Sequence, residues 1–149
     1  MTDTDDAICN CTALRQAARR VSKLYDEALA PVGLGVNQYA ILARLERVGP
    51  RRIQDLAALL VMDRSTLGHL LRPLESRGLV SLQPAATDRR SRVLHLTGIG
   101  RILLEQARPL WAQAQERFET QFGARSAGNL RAELERAAAL DWPPTPPLP

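Results

Sequence analysis

From Ile53 to Thr97 the chain reads IQDLAALLVMDRSTLGHLLRPLESRGLVSLQPAATDRRSRVLHLT, and the order of elements in it decides the fold. IQDLAALL carries Ile53, Leu56, Ala57 and Leu60 at helical spacing, and VMD is a tight turn. Asp63 opens a second helix, where its carboxylate can accept the N–H groups of Ser65 or Thr66. Leu67, Leu70, Leu71 and Leu74 share one face of that helix, and Gly78 is its stop. LVSL (79–82) and VLHL (93–96) are strand segments on either side of the arginine-rich tip PAATDRRSR. Helix, turn, helix and basic hairpin predict a mainly α chain with a small β-hairpin wing, the α+β winged helix-turn-helix. In that arrangement the second helix can enter a DNA major groove while the hairpin reaches the backbone or the adjacent minor groove.

The candidate contact residues follow from this reading. Ser65, Thr66 and His69, near the start of the second helix, are placed for base edges, and Arg64 and Arg72 for bases or phosphates. Arg89, Arg90 and Arg92 lie in the wing and suit phosphate or minor-groove contact, with Asp88 as a brace. Pro73 interrupts the helix pattern. An interior proline costs about 3 kcal/mol, so a bend or a loosened last turn is expected there.

Outward from this segment the chain is helical. Cys11, Leu14, Ala18, Val21, Tyr25 and Ala28 give a first helix over about 11–30, capped by Thr12 or Asn10. A second starts near Asn37 and ends at Gly49 and Pro50. After Thr97 a long helix runs over about 98–122, with a kink expected at Pro109, and another covers about 127–140. These terminal helices carry more apolar surface than a small winged lobe needs, which points to two-fold pairing. The expected organisation is a helical dimerisation region at 11–30 and 98–140, a winged helix-turn-helix lobe at 37–97, and a proline-rich tail at 141–149.

Composition agrees with a nucleic-acid partner. The 149 residues carry a formal charge of +4, and Lys23 is the only lysine, so the positive charge is nearly all arginine, whose fork suits phosphates and guanine edges. At 45 % hydrophobic and 4 % aromatic, the core must be built from Leu, Ala, Val and Ile. No apolar run is long enough to span a membrane, and the acidic start MTDTDDAICN lacks the order of a signal peptide, so a cytoplasmic protein is expected. There is no glycine-rich phosphate loop and no nucleophile–base–acid set, so an enzyme is not expected. Cys-x-Cys at Cys9 and Cys11 has no nearby histidine to complete a metal site, and neither metal nor cofactor is expected.

The stretch LGHLLRPLESRGLVSLQPAATDRRSRVLHLTGIGRILL, with Leu-Glu-x-x-Gly-Leu-Val, Asp-Arg-Arg, Leu-Thr and Gly100 three residues after Thr97, resembles the MarR family of bacterial winged-helix repressors. The resemblance extends from about Cys11 to Leu140. It implies a transcriptional regulator that binds a pseudo-palindromic operator as a homodimer and is released by a small molecule or by oxidation. CTALR, with Tyr25 and Tyr39 downstream, further resembles the organic-hydroperoxide-sensing members, which implies Cys11 as the sensing thiol. Arg15 stands where those sensors carry another tyrosine, and an arginine one turn from Cys11 can itself lower a thiol pKa. Cys9 and Cys11 are thus candidate sensing thiols. Arg15, Arg19, Tyr25, Tyr39 and Trp111 are candidates for an effector pocket that would take a small aromatic molecule. The competing expectation is a helical dimeric thiol-sensing or protein-interaction module without DNA binding. The arginines retained in helix and wing argue against it.

Overall fold

The computed structural model describes residues 9–144, within which six helices and three short strands follow one another. They are α1 (Asn10–Leu29), α2 (Val36–Val48), β1 (Arg51–Arg52), α3 (Ile53–Leu60), α4 (Arg64–Ser76), β2 (Val80–Pro84), β3 (Arg92–Leu96), α5 (Gly98–Phe122) and α6 (Ala124–Ala138), with a 3-10 turn at Ala30–Val32. The chain divides into two compact units, one reaching to Gln115 and one starting at Glu116. The acidic residues 1–8 and the end of the proline-rich segment, 145–149, lie outside the described residues. Among the described residues no helix is long and apolar enough to cross a membrane.

The mainly α chain with a small sheet agrees with the reading of the sequence, and the local differences have physical causes. The first helix is capped by Cys9, not by Asn10 or Thr12: the Thr12 N–H donates to Cys9 Sγ over 3.4 Å. The second helix starts one residue before Asn37, with Gly35 as N-cap. Gln38 Oε1 accepts the Gly35 N–H (3.1 Å), and Asp26 Oδ1, from α1, accepts the Val36 N–H (2.7 Å). These partners satisfy donors that an asparagine cap would otherwise serve. Pro73 lies inside α4, yet the helix runs on to Ser76. Residues 69 and 73 are exposed, so water can serve the carbonyl left without its helical donor.

The hairpin acquires a third strand. β1 pairs antiparallel with β3 (Arg51↔Leu94, Arg52↔Val93), and β2 pairs with its other side (Val80↔Leu96 through Pro84↔Arg92). The sheet order is therefore β1-β3-β2. A two-residue strand made of two arginines has no apolar alternation, which is why the sequence pattern does not reveal it.

The core of the first unit is largely leucine. Leu29, Ile41, Leu42, Leu45, Leu56, Leu67, Leu74, Leu94 and Leu104 are its largest fully buried side chains. Each contributes on the order of 2 kcal/mol of burial free energy. The stripe expected along α1 is only half used: Tyr25 and Leu29 are buried, while Cys11, Leu14 and Ala18 are exposed.

Three sets of contacts fix the elements of the winged segment against their neighbours. The Thr97 hydroxyl donates to the Gly78 carbonyl (2.6 Å) and accepts the Gly100 N–H (3.0 Å), while the Thr97 N–H donates to the Leu79 carbonyl (3.1 Å). This draws α5 so close to the end of α4 that a Cβ on Gly100 would lie 2.0 Å from the Leu79 oxygen. At the rear of α4, the Arg77 guanidinium forks onto two carbonyls of the α1–α2 connection, Gly33 (2.6 Å) and Val32 (3.0 Å). Glu46 of α2 pairs with both Arg101 (3.5 Å) and Arg108 of α5.

Candidate nucleic-acid interface

The α3–α4 turn and the wing carry the candidate contact residues. Met62 N–H donates to the Ala57 carbonyl (2.9 Å), and Val61 closes α3 in the left-handed region, with φ 53 and ψ 46. Asp63 caps α4 doubly: Oδ1 accepts the Thr66 N–H (2.8 Å) and Oδ2 accepts the Thr66 hydroxyl (2.7 Å). Those two bonds hold the Asp63 carboxyl below its ordinary value. Thr66 thus commits its hydroxyl proton to the cap. Arg64, Ser65, His69 and Arg72 are exposed, and an added Cβ at Gly68 would meet open space. The exposed face of α4 is therefore a strip of cations and short polar groups with a bare stretch of backbone at Gly68.

In the wing Asp88 acts through the backbone. Its Oδ1 accepts the Arg90 N–H (3.0 Å), and its carbonyl accepts the Ser91 N–H (3.0 Å). The turn closes with Ala85 N–H donating to the Ser91 carbonyl (2.8 Å). Asp88 therefore shapes the tip and leaves the guanidiniums outward, whereas the sequence reading had the carboxylate bracing an arginine side chain. Arg89, Arg90 and Arg92 are exposed. Among the described residues none of Arg64, Arg72, Arg89, Arg90 and Arg92 forms an ion pair; Arg101, Arg108, Arg131 and Arg136 do, while Arg117 of α5 and Arg125 of α6 do not.

The fold brings part of this set together. Arg64, Arg90 and Arg92 line one cleft of about 300 Å³ with Arg52, Ile53, Gln54 and Ser91. Arg72, His69 and Arg89 are not among its walls. Arg52 and Gln54 were not singled out from the sequence. The only local signal was the Arg51-Arg52 pair ahead of α3, and its approach to the wing depends on the β1–β3 pairing.

The candidate sensing residues are dispersed. Cys9 and Cys11 are exposed free thiols. The side chain and backbone N–H of Thr12 lower the Cys9 pKa, as donors to a thiolate do. Arg15 and Arg19 are exposed on α1, and Arg19 borders an open groove of about 780 Å³ with Gln16, Arg20 and Lys23. Tyr39 stacks on Trp111, with ring centroids 5.8 Å apart, and burial pushes its phenol pKa up. The Tyr25 hydroxyl donates to Gln115 Oε1 (2.5 Å). The structure thus pairs Tyr39 with Trp111 and Tyr25 with α5.

A three-stranded wing behind a capped recognition helix, with unpaired arginines on both, defines a DNA-binding transcriptional regulator of the winged helix-turn-helix class, not an enzyme. The chain belongs to the MarR family, whose profile it matches over residues 34–91. It is 29 % identical over 127 residues to the HTH-type transcriptional repressor NicR of Pseudomonas putida, which covers 85 % of this chain and 75 % of NicR. The transcriptional repressor CouR bound to a 23-mer DNA duplex superposes with a TM-score of 0.81, 29 % identity, and coverage of 93 % of this chain and 98 % of that one. CouR has also been solved bound to p-coumaroyl-CoA. The Mycobacterium tuberculosis regulator MOSR in complex with DNA gives a TM-score of 0.72 at 33 % identity, covering 89 % of this chain and 99 % of that one.

Proposed function

We propose that the chain is a homodimeric repressor that sets its two α4 helices and two wings on the halves of a pseudo-palindromic operator. The observation that carries this reading is the clustering of exposed arginines, none of them in an ion pair among the described residues, on α4 and the wing, where Arg64, Arg90 and Arg92 line one cleft. Arg64, Ser65, His69 and Arg72 face the major groove, and Arg89, Arg90 and Arg92 take phosphates or the minor groove. Thr66 serves chiefly as the partner of the Asp63 cap. Pairing through the helices of 11–30 and 98–140 would cover exposed apolar side chains on each: Leu14 on α1, Phe122 on α5, and Leu130 and Leu134 on α6. The repressor sign is supported by NicR and CouR, both described as repressors.

Release follows from geometry. Half-sites about 10–10.5 base pairs apart need recognition helices about 34–36 Å apart, so a shift of a few ångströms between lobes uncouples one of them. A small aromatic effector near Tyr39 and Trp111 is the favoured signal, in line with the aromatic acyl group of the p-coumaroyl-CoA that CouR binds. Thiol oxidation at Cys9 or Cys11 is the second, supported by their exposure and the lowered Cys9 pKa. Arg90→Gln tests the DNA reading: gel shifts should lose the complex while light scattering still reports a dimer. Unchanged affinity would remove the wing from the interface. Cys9→Ser and Cys11→Ser separate the signals, because neither should alter release by an aromatic acid, and at least one should block release by peroxide if thiols sense.

A further inference from the structure

The cleft between β1, α3, the start of α4 and the wing is lined by four arginines, Arg52, Arg64, Arg90 and Arg92, none of which has a carboxylate partner among the described residues. Such a cluster repels itself and gains from an anion at its centre. The neutral residues beside it are also donors: the Gln54 amide and the Ser91 hydroxyl. A fork of N–H groups with flanking neutral donors matches the two non-bridging oxygens of a phosphodiester. The walls are held by main-chain bonds. Arg52 pairs with Val93 in the sheet, Ser91 is tied to Asp88 and Ala85, and Arg64 follows the Asp63 cap.

We propose that this cleft seats one backbone phosphate of the DNA duplex, with Arg52 and Gln54 as contact residues beyond those of α4 and the wing. The inference rests on the DNA-binding reading above and adds to it a shared anchor. A single phosphate held by β1, α4 and the wing at once fixes the hairpin relative to the recognition helix on the duplex. The contact carries no base information, so it sets register and affinity, not sequence choice.

Fluorescence anisotropy with two mixed-sequence duplexes of unrelated sequence, followed over salt concentration, tests it. For Arg52→Gln the slope of log affinity against log salt should fall in magnitude by about two units, one for the cleft of each protomer in the dimer, with binding about a hundredfold weaker near 0.1 M salt and converging toward 1 M. The loss should be the same on both duplexes, and Arg52→Lys should restore the slope. Gln54→Ala should weaken binding on both duplexes with the slope kept. The Arg52 side chain is exposed and makes no cap bond, so thermal melting should be unchanged and folding does not confound the result. An unchanged slope for Arg52→Gln, in a protein whose wild type binds DNA, would overturn the proposal, as would a loss confined to one duplex. Calorimetry with sodium phosphate is the other arm: an Arg52-dependent free-anion site with no effect on the DNA slope would also overturn it. If the wild type itself lacks salt-dependent DNA affinity, the DNA reading has failed, and that outcome is separate from failure of the cleft alone.

Discussion

Gly100→Ala should destabilise this protein strongly, although helix propensity alone predicts the opposite. Replacing an interior helical glycine by alanine ordinarily stabilises by up to about 1 kcal/mol. At Gly100 the new Cβ would lie 2.0 Å from the Leu79 oxygen, 2.8 Å from Leu96 Cδ1 and 2.9 Å from the Leu79 carbonyl carbon. Reaching an ordinary contact of about 3.4 Å requires α5 and the start of β2 to part by more than an ångström. That movement stretches the Thr97 N–H bond to Leu79 and the Thr97 hydroxyl bond to Gly78, which lie in the same junction. Overpacking costs about 1–3 kcal/mol and each lost hydrogen bond about 1 kcal/mol, so about 3–4 kcal/mol is expected. At about 2–4 °C per kcal/mol, the melting point should fall by about 10 °C. Urea and thermal unfolding would measure it, with Gly98→Ala as control because a Cβ there meets nothing within 4 Å. A Gly100→Ala protein melting within about 2 °C of wild type would refute the close approach on which the argument depends.

Three other outcomes are expected. Asp63 titrates below its ordinary 3.8 when folded, so its cap contributes fully above that value and is lost as pH falls through the lower folded one. Asp63→Asn should therefore unfold earlier in urea than wild type at neutral pH, and the gap should close at acid pH below 3.8. Val61 is a β-branched residue at φ 53 and is 73 % exposed. Val61→Gly should raise stability by about 0.5–1 kcal/mol in urea titration, the relief of left-handed strain less the entropy cost of glycine. Thr12→Val should move the pH midpoint for iodoacetamide alkylation of Cys9, followed by mass spectrometry, up toward 9.0, because the hydroxyl is the leading cause of its lowered pKa.

The winged segment was legible because its signals are local. Asp63 three residues before Thr66, leucines spaced along α4, and Gly78 at its end each act within one turn of helix. The arginines of the wing were visible as a composition bias beside an Asp-containing turn. What the sequence concealed depends on distant partners. Arg52 reaches the wing only through pairing with Val93, and the cap of α2 depends on Asp26 in α1. The double use of Thr66 and the backbone role of Asp88 are decided by side-chain geometry that residue identity leaves open. The exposed half of the α1 stripe has another cause: its periodicity marks a buried face, but not which surface covers it.

The Arg77 fork has a consequence for how a signal can travel. Recognition helix α4 is closed on itself in front by the Asp63 cap and tied to a neighbour behind by Arg77, which grips the turn that closes α1. A rod sealed at one tip and gripped at the other does not unravel under load; it is carried. Any tilt of α1 at its carboxyl end is handed to α4 as rigid displacement, so a message arriving there would be expressed as a change in reach, with the reading head itself kept intact.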